Sequence, residues 1–87
     1  MPLYVRTLLI TGVGEEPDDA ARAHERHLQE LRSAGKLRAA GRFAAGDGYL
    51  EILDVADRKE AESLARASPL VEQGLASWML REWVELE

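Results

Sequence analysis

Residues 3–11 constrain the fold more than any other stretch. Read with a two-residue period, they carry Leu3, Val5 and Leu9 on one side and Tyr4, Leu8 and Ile10 on the other. That pattern predicts a strand apolar on both faces, which needs cover on both faces. The whole chain has 87 residues, room for one domain over 1–87 and no second. A lone subunit of this size buries only about 60–65% of the surface its unfolded chain exposes, so burial of the remaining apolar surface matters.

The segments that follow alternate in period. Gly12 and Gly14 end the first strand, and Pro17 sits just inside a predicted helix over 17–34. Ala20, His24, His27, Leu31 and Ala34 share one face of it, with Leu28 alongside, and Gly35 is placed to close it as a left-handed cap. In residues 36–45, Leu37, Ala39, Gly41 and Phe43 alternate with Lys36, Arg38 and Arg42. The alanines tolerate helix equally, but Gly35 before and Gly46-Asp47-Gly48 after favour a strand ending in a hairpin, with 49–55 as its return. Asp57 followed by Glu60 resembles a capping box and opens a second helix reaching residue 67, with Ala61, Leu64 and Ala65 inward. Pro69 stops it, residues 69–74 read as a turn or short helical piece, and residues 76–86 as a last strand.

The order strand–helix–strand–strand–helix–strand predicts an α+β domain: a four-stranded antiparallel sheet with both helices on one face. Leu3, Val5, Leu9, Leu50, Ile52, Leu80 and Val84 suit the covered face. The other would show Tyr4, Leu8, Ile10, Tyr49, Leu53, Met79 and Trp83, with Arg6, Glu51 and Arg81 among them. A slip of one residue reverses a strand, so the sequence leaves the parity open. Either way an apolar face remains, larger than soluble monomers usually expose. Burying about 1,000 Å² or more of it against a twin predicts a homodimer packed sheet to sheet, with a covering partner protein as the alternative.

Charge narrows the function. With 11 basic and 16 acidic residues the chain carries a formal charge of −5, a poor partner for nucleic acid or an anionic membrane. It has no cysteine, so no thiolate nucleophile and no cysteine-ligated metal. No apolar run approaches the roughly 18 residues of a membrane span, and the expectation is a soluble, cytoplasmic protein. Asparagine is absent, a composition that suits heat resistance or a GC-rich genome.

Few motifs carry chemistry. Gly12-Val13-Gly14 lacks the third glycine of a dinucleotide fingerprint, because Pro17 stands there, and reads as a turn. His24 and His27 lie three apart on one helix face. No further ligand is obvious on that stripe, so a metal site is not expected. The two imidazoles fit either a buried, hydrogen-bonded role or general acid–base work near neutral pH. Residues 38–42, with Arg38 and Arg42, fit a solvated strand edge or a small-anion contact.

A longer pattern runs through these pieces: Arg22, His27-Leu28, Leu31, Gly35-Lys36-Leu37 and Ala40-Gly41, then Asp47-Gly48, Asp54-Val55, Asp57, Glu60-Ala61 and Leu64, and finally Ser68-Pro69-Leu70-Val71, Gly74-Leu75 and Trp83. In order and spacing it resembles the YCII-related (YciI-like) domain family. The resemblance implies a ferredoxin-like βαββαβ subunit paired as a dimeric α+β barrel. It also implies an active site in which a helix histidine, matched by His27, pairs with an aspartate in an Asp-Pro step. Here that step is Ser68-Pro69. A serine can orient an imidazole but supplies no charge. The family's Gly-Pro pair is Gly41-Arg42, and His24 stands where relatives often have arginine.

The resulting expectation is a small-metabolite enzyme without a cofactor, performing isomerisation or elimination. His27 would act as general acid or base and Ser68 would orient it. His24 and Gly41 would line the ligand site, with Arg42 or Arg6 holding an anionic substrate. The alternative is a catalytically degenerate module that binds a small ligand or a protein.

Overall fold

The computed structural model describes residues 2–11 and 17–86. Its elements are β1 (Leu3–Ile10), α1 (Pro17–Ser33), β2 (Leu37–Arg42), β3 (Gly48–Asp54), α2 (Arg58–Arg66), α3 (Pro69–Glu72) and β4 (Ala76–Trp83). They form one antiparallel sheet in the order β2-β3-β1-β4, the ferredoxin-like arrangement. The Gly12-Val13-Gly14 turn lies outside the described residues.

Local chemistry sets the boundaries. Gly35 adopts φ 76°, and the chain closes α1 with Gly35 N–H to Arg32 O at 3.0 Å and Lys36 N–H to Leu31 O at 2.9 Å. This is the paired-bond stop that a left-handed residue permits. The Asp57 carboxylate accepts from Glu60 N–H at 2.8 Å, while Glu60 accepts from Ala56 N–H at 3.0 Å. The return bond of the capping pair thus goes to the residue before the cap. Residues 69–74 include a true helical turn, α3, which begins at Pro69. β4 stops at Trp83, short of residue 86, because Trp83 opposes Leu3, the first residue of β1, and no partner strand extends further.

The parity of the central strands is the reverse of the one that suited the sequence. Tyr4, Arg6 and Leu8 of β1 and Tyr49, Glu51 and Leu53 of β3 face the helices, and all six are buried. Leu80 of β4 joins them. Around this face pack Leu28 and Leu31 of α1, Ala61 and Ala65 of α2, and Leu70 of α3. Val5, Thr7, Leu50 and Ile52 face the opposite way, with Met79 and Trp83 as expected for β4. The reversal is tolerated because Arg6 and Glu51 are direct cross-strand partners, so the face holding both charges neutralises itself and can be buried.

The open face keeps large apolar side chains in water, including Leu9 at 46% and Met79 at 60% exposure. Among the described residues no helix is long and apolar enough to cross a membrane.

Gly48 packs against the backbone of β1, and a Cβ there would sit inside the van der Waals radius of the Leu8 carbonyl oxygen. Gly48→Ala must push β3 away from β1 and is expected to cost about 2 kcal/mol, in the range for overpacking. Urea denaturation measures it, and an unchanged midpoint would show the strands farther apart than described.

Candidate functional site

The site begins with the buried stripe of α1. Ala20, His24, Leu28 and Leu31 follow the helical period and lie under the sheet, with His27 half-buried beside them. Residues 66–70 bring the second component. Ser68 precedes Pro69, which holds it in the extended region at φ −65°, ψ 132°. Ser68 is the N-cap of α3, yet its hydroxyl makes no cap bond. It meets His24 Nδ1 at 2.8 Å instead.

The other ring nitrogen is also engaged. His24 Nε2 lies 2.6 Å from Glu51 Oε2, and Glu51 Oε1 pairs with the Arg6 guanidinium. Arg6 donates further to the carbonyls of Leu64, at 3.0 Å, and Ala65, at 3.2 Å. Arg6, Glu51, His24 and Ser68 are all fully buried. The four form one chain across β1, β3, α1 and α3. His24 donates from Nε2 to Glu51 and pairs through Nδ1 with the Ser68 hydroxyl, and the opposed charges of Arg6 and Glu51 cancel.

His27 completes the cluster. Its ring centroid is 6.1 Å from that of His24, and its Nε2 is buried with no hydrogen-bond partner. Burial, then the nearby Arg6 and His24, hold its pKa below the usual histidine value, so the ring is neutral at pH 7. The Tyr49 ring also packs on His24, with its centroid 4.7 Å away. Its hydroxyl donates to Glu25 Oε2 at 2.9 Å. Burial and that bond push the Tyr49 pKa up to about 12, keeping it a phenol.

The structure groups the expected site residues differently from the sequence reading. Ser68 touches His24, where His27 was expected, because Nδ1 of His24 points at the start of α3. Arg6, expected to hold an anion, is spent on Glu51 and two carbonyls and has no exposed surface. Gly41 and Arg42 lie apart from this chain, in a cleft between α1 and β2. Among the described residues no three His, Cys, Asp or Glu side chains converge as for a metal ion.

The YCII-related domain matches residues 4–84. The chain belongs to the YCII-related domain family. No curated protein sequence matches it. In three dimensions this YCII-related chain is similar to 5-chloro-2-hydroxyhydroquinone dehydrochlorinase (TftG) from Burkholderia phenoliruptrix AC1100, solved in complex with 2,5-dihydroxybenzoquinone. The TM-score is 0.77 with 18% sequence identity, covering 94% of this chain and 93% of that one. The likeness shows a shared fold.

Within this family member, the contact to residue 68 gives His24 the place the resemblance assigned to His27. Glu51 and Tyr49 are the site residues that sequence reasoning missed. Glu51 left a signal: it is the lone charge in Tyr49-Leu50-Glu51-Ile52-Leu53, as Arg6 is the lone charge in β1, and two opposite charges in two central strands can pair.

Removing one member of the chain strands its partner in a dry site. Glu51→Gln leaves Arg6 without its counter-ion and is expected to cost about 3–5 kcal/mol. Ser68→Ala leaves His24 Nδ1 unpaired at about 1–3 kcal/mol. Chemical denaturation reads both, and two near-neutral results would mean that water reaches the chain.

Proposed function

We propose that this YCII-related protein is a cofactor-independent enzyme acting on a small metabolite by proton transfer, with His27 as the general base. One observation carries the reading: a neutral imidazole whose buried Nε2 has no protein partner, set beside a second imidazole fixed at both nitrogens. Once the site opens around its buried Nε2, His27 takes a proton from a carbon of the substrate. Return of that proton at another position completes an isomerisation, and departure of a leaving group completes an elimination. The fold's occurrence in a dehydrochlorinase solved with a small quinone supports the small-molecule class. In this scheme Ser68 acts as a positioning residue through His24, which keeps the floor beneath His27 rigid.

The enzyme works as a homodimer closed by the open face of the sheet. Leu50, Ile52, Met79 and Trp83 there form an apolar surface that a second copy can cover. A dimer is expected by sedimentation at micromolar concentration. Ile52→Asp combined with Met79→Asp should give monomers that remain folded, and a wild-type monomer would remove the sheet-to-sheet assembly.

The pH dependence follows from His27. Its folded pKa lies below the ordinary value of about 6.5, so the unfolded chain binds the extra proton first. Stability from this group is therefore full above that value and falls with pH until the folded pKa is reached. His27→Gln should flatten this part of the stability profile. In parallel, histidine NMR with a panel of small carboxylic acids and lactones should show a ligand-dependent shift of the His27 ring. A panel that moves no histidine resonance would favour a catalytically degenerate module over an enzyme.

A further inference from the structure

A cleft of about 370 Å³ lies between α1 and β2, at the small end of the range of ligand pockets. Leu28 and Leu37 are part of its apolar lining, and Arg32 and Arg42 also line it. It is separate from the histidine that the acid–base reading uses. Glu25 lines the cleft, whereas His27 lies roughly 160° round α1 from Glu25 at 3.6 residues per turn and is not part of the wall.

The polar contacts inside the cleft describe a carboxylate position. Glu25 Oε2 accepts from the Tyr49 hydroxyl at 2.9 Å and faces Arg42 Nη1 at 3.7 Å. The second contact is longer than a good charge-assisted bond, so Arg42 is only loosely engaged. Its side chain is 66% exposed, and that of Glu25 49%. Arg32 makes no ion pair among the described residues. The two guanidinium groups thus exceed the single carboxylate that faces them. Glu25 is half in water and can turn outward, while Tyr49 is fixed by packing on His24.

We propose that this cleft is a second ligand site, for a small organic carboxylate with a flat apolar body, and that Glu25 occupies the anion position as an internal substitute. The ligand carboxylate takes over the Tyr49 hydroxyl and Arg42, gains Arg32, and lays its apolar part on Leu28 and Leu37. Glu25 swings into solvent. Binding is a simple exchange of one carboxylate for another, with no covalent step.

Benzoate is the probe, followed by NMR of the Tyr49 ring and the Arg42 side chain. A dissociation constant of about 1 mM suits a ligand this small. Glu25→Gln removes the internal competitor and should tighten binding at least threefold, while Arg42→Ala should weaken it at least tenfold. Benzamide, the same shape without the charge, should bind at least tenfold more weakly to the wild-type protein. His27→Gln should leave benzoate binding unchanged, which separates this site from the acid–base centre. Equal binding of benzamide and benzoate, or no tightening in Glu25→Gln, would overturn the proposal, and the wild-type comparison decides it even if a variant fails to fold.

Discussion

The buried pair of Arg6 and Glu51 is the interaction on which the other parts depend. Each charge alone would be expensive under the helices, and together they cancel at the centre of the sheet. Arg6 also ends on carbonyls of the last turn of α2, where a cation meets the negative end of the helix. Glu51 uses its second oxygen to hold His24 of α1, and His24 in turn holds Ser68 at the start of α3. One polar chain therefore ties the two central strands to all three helices. Apolar packing around it, from Leu8, Leu53 and Leu70, excludes the water that would weaken each link.

That pair also sorts the two faces of the sheet. Because charge on the helix side is neutralised internally, the other side of the central strands is left with Val5, Thr7, Leu50 and Ile52. Buried charge is thereby placed between sheet and helices, and apolar surface is placed outside. Burial of a single Leu or Ile side chain is worth about 1.5–3 kcal/mol, so a patch of this composition is a strong drive toward a partner.

The order of elements was legible because each carries its own local signal. Gly35 with its left-handed turn, Asp57 with Glu60, and Pro69 after Ser68 mark their boundaries without help from tertiary structure. Parity was not legible. Residues 3–11 are apolar on both sides, and the side that carries Arg6 can be buried only because Glu51 matches it across β1 and β3. That match depends on register, which lies 45 residues apart in the chain. The histidines show the same limit. Both fall on the inward stripe of α1, one turn apart, and spacing says only that they are neighbours. Which one meets residue 68 is set by the packing of α1 against α3, and it is His24.

The aspartate that the resemblance implies at the Asp-Pro step is a serine in this chain, and a carboxylate from another element lies on the histidine that this serine meets. Glu51 reaches the same imidazole from the sheet and meets Nε2, while Ser68 meets Nδ1. A carboxylate on either nitrogen fixes the tautomer and stabilises added positive charge on the ring. The geometry differs in one respect that bears on function. A single carboxylate partner would leave the second nitrogen of His24 free for a substrate, whereas here both nitrogens are occupied and the ring is fully buried. The free lone pair in the cluster belongs to His27, one helical turn along, whose neutral state follows from burial and from the positive Arg6 nearby. Filling both sides of His24 therefore leaves the buried Nε2 of His27, one turn along the same stripe, as a nitrogen of the cluster without a protein partner.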